Sequence, residues 1–160
     1  MSNAGTALLT GASAGIGAVY ADRLARRGHD LILVSRDEAW PNALAAHLCA
    51  ETGRSVDTLA ADSATRSDLP RAERRLWQDP PISMLVNNAS VALCGPIHGP
   101  DVDRPEGMVN INVTAALRLA HAAVEGFVAR GRGTLINVSP VPPRCPSGST
   151  PSTAGPNHAC

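Results

Sequence analysis

Lysine is absent from this chain of 160 residues, so all 14 of its cationic side chains are arginine. Any chemistry that needs a lysine amine is thereby excluded. Aromatic residues are nearly absent as well, with one tyrosine, one phenylalanine and two tryptophans. Net charge is also missing: 14 acidic residues balance the arginines, which are scattered or paired on helix faces as in "RLARR" and "RAERR". There is no electrostatic case for a nucleic-acid partner or an anionic membrane surface. No run approaches the roughly 20 apolar residues that span a bilayer, and no basic, apolar leader precedes the first strand, which fits a soluble cytoplasmic protein. The four cysteines (Cys49, Cys94, Cys145, Cys160) and five histidines (His29, His47, His98, His121, His158) lack metal-ligand spacing, so no metal is expected.

What is present is an alternation. "TALLT" is a short apolar run that stops at "GASAGIG", and Ile16, Val19, Tyr20 and Leu24 then follow at helical spacing. Arg26, Arg27 and Gly28 close that helix. "DLILVSR" is a second strand, apolar at nearly every position, as expected where both sheet faces are covered. A helix over "NALAAHLCAETG" and a third strand in "SVDTLAAD" come next. A polar helix then carries Leu69, Ala72, Leu76 and Trp77 on one side. "ISMLVNNAS" is a fourth strand, "GMVNINVTAALRLAHAAVEGFVARG" one long helix, and "GTLINV" a fifth, buried strand. Strands alternating with helices predict an α/β, Rossmann-like doubly wound parallel sheet of about five strands in the order 3-2-1-4-5. Ligands of such sheets sit beyond the carboxyl ends of the strands.

After Val138 the pattern stops. Pro140, Pro142, Pro143, Pro146, Pro151 and Pro156 deny backbone donors at close intervals. The expected division is therefore a dinucleotide-binding domain over 1–138 and a disordered tail over 139–160.

Gly11, Gly15 and Gly17 lie between the first strand and its helix, where missing β-carbons allow a sharp turn and let backbone N–H groups approach a pyrophosphate. With its T-G-x-x-x-G-I-G spacing, "NNAS" after the fourth strand and "NINVTAA" in the long helix, the chain resembles the short-chain dehydrogenase/reductase family over residues 1 to about 139. The resemblance implies a nicotinamide dinucleotide held by Gly11, Ser13, Gly15, Ile16, Gly17, Ser35, Arg36, Asp62, Ser63, Asn88 and Ala89. Asp62 would accept the adenine amino hydrogen, although "DSATRSDL" also reads as an ordinary helix start. Asn88 and Ala89 would floor the site near the nicotinamide ribose, or Asn87 and Asn88 would merely satisfy strand-end backbone groups. Ser90 stands where the family has glycine. Arg36 matches a 2′-phosphate, which favours NADP(H) over NAD(H), while Asp37 follows one step later and Ala14 replaces a second basic residue.

The same resemblance places Asn112 in the catalytic site, set in a helix whose apolar stripe is read as Val109, Val113, Ala116, Leu117 and Ala120. Asn110 is close by, but the I-N-V context puts Asn112 in register. The family moves hydride between the nicotinamide and a carbonyl or alcohol, using a serine after the fifth strand and a downstream Y-x-x-x-K. Here the serine position falls on Pro140, beside Ser139, and the tyrosine and lysine positions on Thr153 and Asn157. The single tyrosine is Tyr20, in the first helix. The chain as written is thus expected to bind cofactor and to be catalytically impaired; a non-catalytic dinucleotide-binding or regulatory protein and a pseudogene-like fragment are the alternatives. Full-length relatives are usually homo-oligomers. A tail translated one base out of step would account for the pattern. Joining the third base of each codon to the next two permits serine across Ser139 and Pro140, tyrosine across Ser152 and Thr153, and lysine across Pro156 and Asn157.

Overall fold

The computed structural model describes residues 4–12, 15–37, 39–79, 82–93 and 101–139. Five strands, β1 (Thr6–Thr10), β2 (Asp30–Ser35), β3 (Val56–Ala60), β4 (Ile82–Asn87) and β5 (Thr134–Asn137), form one parallel sheet in the order β3-β2-β1-β4-β5. This is the expected order. Register pairs Thr10 with Val34, Ser35 with Ala60 and Asn87 with Asn137, so the strand ends carrying the expected site residues share one edge.

Helices α1 (Gly15–Arg26) and α2 (Ala39–Thr52) follow β1 and β2, and α3 (Leu69–Gln78) follows β3. The long helix of the sequence reading divides into α4 (Asp103–Val109), a π-helical segment (Asn110–Ala115) and α5 (Ala116–Ala129). Both α2 and α4 begin earlier than the apolar pattern indicates. Pro41 and Pro105 fall in their first turns, where a missing N–H breaks no intrahelical bond.

Alternate strand residues feed two cores. Leu8, Ile32, Val34, Ile82 and Leu85 pack with α3 and α5, while Ala7, Leu9, Leu31, Leu33 and Val86 pack with α1 and α2. Full burial of each leucine contributes roughly 1.5–3 kcal/mol, which makes the sheet a rigid platform for its carboxyl edge.

Several apolar faces differ from the sequence reading. On α1 the buried residues are Gly17, Ala21, Leu24 and Ala25, whereas Ile16 and Val19 are exposed. On α3 Trp77 is exposed, and Glu73 completes the buried side with Leu69, Ala72 and Leu76. Along α5 the buried set is Leu119, Ala122, Ala123 and Phe127, whereas Val109 of α4, Val113 of the π-helical segment and Leu117 of α5 are exposed. Each helix buries a face that mixes alanines with leucine or phenylalanine, and the apolar residues beside that face stay exposed. Likewise β5 is an exposed edge rather than a buried strand, with only Ile136 half-buried.

Glu73, only 6% exposed, is held by Arg118 of α5 through bonds of 2.5 and 3.0 Å. That bond raises the Arg118 guanidinium above its ordinary pKa and clamps α3 to α5. No described helix is long and apolar enough to cross a membrane. The expected tail, with Pro140, Thr153 and Asn157, lies outside the described residues apart from Ser139, which is exposed.

Candidate functional site

At the carboxyl edge, the turn from β1 into α1 is built on close approach. A β-carbon on Gly17 would overlap the Gly11 carbonyl oxygen and come 2.7 Å from Asn88 Nδ2, and one on Gly11 would come 2.8 Å from Ala89 Cα. At Gly15, φ +56°, an added β-carbon would meet none of the described residues within 4 Å. The three glycines therefore do different things: two let the turn pack against the end of β4, and the third supplies the left-handed backbone conformation from which α1 starts. Ser13 and Ala14 lie outside the described residues.

Thr10 locks this arrangement. Its buried Oγ1 accepts the backbone N–H groups of Asn88 (3.1 Å) and Ala89 (3.0 Å), while Asn88 Nδ2 donates to the carbonyls of Thr10 (3.2 Å) and Gly11 (2.9 Å). Reading the sequence missed Thr10, which looks like any strand residue; its signal is a hydroxyl ending an otherwise apolar run. Asn87 Nδ2 donates to the Ala116 carbonyl (3.1 Å) and to Asn137 Oδ1 (3.0 Å). Both asparagines thus satisfy backbone groups, and Asn88 also faces the cleft beside the turn.

That cleft, of about 330 Å³, brings together Gly11, Ile16, Ser35, Arg36, Asp62, Ser63, Asn88 and Ala89, with Ser90, Val91 and Ile111. Of the expected set, Gly15 and Gly17 shape the turn without lining the cleft. Asp62 serves two ends. One carboxylate oxygen accepts the Ala64 N–H at 2.8 Å, and its own N–H donates to Asp68 Oδ2 at 3.0 Å, while the residue remains on the cleft wall. Asp68 is spent on this loop and makes no side-chain cap for α3. Arg36 is exposed at the mouth, clear of the buried Ser35.

A second cavity of about 580 Å³ shares Ala89 and Ser90 with the first and extends to Asn87, Met108, Val109, Asn112, Val113, Ala116, Asn137, Val138 and Ser139. Asn112 sits in the π-helical segment, the kind of irregularity that collects at functional sites. Its Oδ1 accepts the Val91 N–H (3.0 Å) and its Nδ2 donates to the Val91 carbonyl (2.8 Å). The amide thereby ties the loop after β4 to the helix. Asn112 and Ser139 thus share one cavity, whereas Tyr20 lines a different one, beside Val19, Met84 and Ile136 on the flank of α1.

The site can be set beside known proteins. A family profile described as short chain dehydrogenase matches residues 5–151. Among solved structures, the bulky-bulky ketone specific alcohol dehydrogenase from Comamonas testosteroni is 41% identical with a TM-score of 0.84, covering 88% of this chain and 56% of its own. A short-chain dehydrogenase from Sphingobium yanoikuyae in complex with NADPH is 45% identical with a TM-score of 0.83, covering 86% and 54%. A human protein called inactive hydroxysteroid dehydrogenase-like protein 1 is 30% identical over 135 residues, 83% of this chain and 41% of that protein. The chain spans about half the length of the relatives it matches.

Proposed function

The chain belongs to the short-chain dehydrogenase/reductase family, and from that premise we propose that it binds a nicotinamide dinucleotide, NADP(H) ahead of NAD(H), without efficient turnover. One observation carries this reading. Gly11 of the glycine turn, Ile16 at the start of α1, Arg36, Asp62 and Asn88 converge on one cleft at the carboxyl edge of the sheet.

The residues fit the cofactor in kind. Backbone N–H groups at the start of α1 suit a pyrophosphate, the Arg36 guanidinium a 2′-phosphate, and the Asp62 carboxylate an exocyclic amine. Bound there, a nicotinamide supplies or accepts hydride opposite a carbonyl or alcohol carbon. The chain's own part would be the matching proton at the substrate oxygen, and here its equipment is poor. Asn112 commits its amide to Val91, Ser139 has Pro140 beside it in place of serine, and Tyr20 lies on another face. Loss of a positioned general acid costs roughly 10²–10⁴ in rate.

A reduction assay with NADPH and simple ketones, run beside a cofactor titration, tests this. Binding with turnover at least about a hundredfold below an active relative supports it. Full turnover refutes the impairment, and no binding refutes the whole reading. The out-of-step tail is checked by sequencing the encoding DNA: a shifted frame near codon 139 without Y-x-x-x-K and without continued α/β pattern removes that explanation.

A further inference from the structure

We propose that the cavity on the flank of α1 binds the monomer of a single-chain anionic amphiphile, a carboxylate whose tail has roughly twelve carbons. The ligand's place does not depend on what occupies the first cleft.

The layering of the helices leaves this cavity open. On one side of the sheet α1 sits over β1 and β2, and α2 over β2 and β3; on the other side α5 covers β4 and β5. Parallel strands are ordinarily covered on both faces. Among the described residues, the α1 side of β4 and β5 borders instead on a cavity of about 620 Å³, within the usual size of ligand pockets. Ile16, Val19, Tyr20 and Leu24 of α1 form one wall, and Met84 and Ile136 of the sheet the other. Ile16 and Val19 are 59% and 51% exposed, so apolar surface here stands in water and gains from an apolar cover.

Charge is confined to one end. Arg23 and Arg27 both line the cavity and, four residues apart, share one side of α1. Neither side chain meets a carboxylate among the described residues, and no described lining residue is acidic. Asp22, the acidic residue of α1, lies outside the lining and is held by Arg26 at 2.9 Å; Arg26 is in turn 4.0 Å from Glu51. The negative end of the helix dipole, roughly half a charge, offsets only part of two guanidinium charges. Tyr20 adds a hydroxyl donor. From Ile16 to the point midway between the two arginines the helix rises about 14 Å, which an extended chain of roughly twelve carbons spans. An apolar trough ending in two unpaired cations matches a tail and its anionic head, with each guanidinium able to bond a carboxylate.

Calorimetric titration of the full chain with dodecanoate, below its micelle concentration, tests the assignment, with octanoate and dodecyltrimethylammonium in parallel. Dodecanoate should saturate at one site per chain. Octanoate should bind at least about tenfold more weakly for want of tail, and dodecyltrimethylammonium at least about tenfold more weakly for its wrong charge. Arg23 and Arg27 are exposed, so their replacement is compatible with folding, which a thermal melt checks. Arg23→Gln with Arg27→Gln should weaken dodecanoate by about tenfold or more and abolish its advantage over the cation, while Arg23→Lys with Arg27→Lys should keep most of it. Val19→Gln should weaken dodecanoate several-fold. NADPH affinity should be the same in the arginine variants, since neither residue lines the first cleft. A chain that never binds NADPH yet keeps the dodecanoate preference would overturn the reading of the cleft and support that of the flank.

Dodecanoate that never saturates, that binds many to a chain, or that is indifferent to the paired glutamine substitutions overturns the proposal, as does equal binding of dodecyltrimethylammonium. Flotation with phosphatidylglycerol vesicles that the glutamine pair abolishes, without saturable binding of dodecanoate, would assign the flank to a lipid surface instead. A dimer that Val19→Gln dissolves and dodecanoate does not would assign it to a second copy of the chain.

Discussion

Replacing Thr10 with valine is the sharpest perturbation of the latch between the glycine turn and β4. The two side chains have nearly the same shape, so no void opens at a position only 2% exposed. What disappears is the oxygen that accepts from Asn88 and Ala89 at 3.1 and 3.0 Å. A buried N–H left without an acceptor costs about 1–3 kcal/mol. The bond donated by Thr10 to the Val86 carbonyl is 3.5 Å long and adds little. Because Asn88 and Ala89 are only half-buried, water offsets part of the loss, and Thr10→Val should destabilise by about 2–4 kcal/mol. Thr10→Ser keeps the oxygen and should cost only about 1 kcal/mol for the lost methyl. Urea unfolding measures both, and NADPH titration of the valine variant should show weaker binding, since the same amides floor the cleft. A valine variant within about 0.5 kcal/mol of the parent, with unchanged cofactor affinity, would refute the latch.

Other changes divide the same account. Gly17→Ala should unfold the turn or abolish NADPH binding, because its β-carbon collides with backbone. By contrast, Gly15→Ala should cost only about 1 kcal/mol of backbone strain in a melt, since none of the described residues lies within 4 Å of the added carbon. Arg36→Ala should weaken NADPH by about tenfold or more and leave NADH nearly unchanged in parallel calorimetric titrations. Arg118→Met strands the buried Glu73 carboxylate and should lower the melting temperature, and adding Glu73→Met should recover most of the loss.

The sheet was legible because β1, β2 and β4 are nearly continuous apolar runs, strands alternate with helices, and the right-handed crossover rule leaves few orders for them. The cleft was legible because Gly11, Arg36, Asp62 and Asn88 each end or follow a strand, and parallel strands align those ends. Helix faces were less so. Ile16, Val19, Trp77, Val109, Val113 and Leu117 are apolar yet exposed, while Ala21, Ala25, Ala72, Ala122 and Ala123 share the buried faces with Leu24, Leu69, Leu76, Leu119 and Phe127, and alanine carries too weak an apolar signal to mark those faces in the sequence. The π-helical segment around Asn112 has no periodic signature, since one widened turn leaves the apolar pattern on both sides intact. Thr10 escaped because its two bonds run to residues nearly eighty positions away.

The central claim is that the cleft between the glycine turn, Arg36 and Asp62 is a dinucleotide site with a 2′-phosphate preference. Calorimetric titration of the full chain with NADPH and, separately, NADH tests it most directly. Saturable one-site binding of NADPH, tighter than NADH by about tenfold, is the expected result. Heat changes that never saturate with either nucleotide would contradict the site, and NADH binding equal to or tighter than NADPH would contradict the role of Arg36.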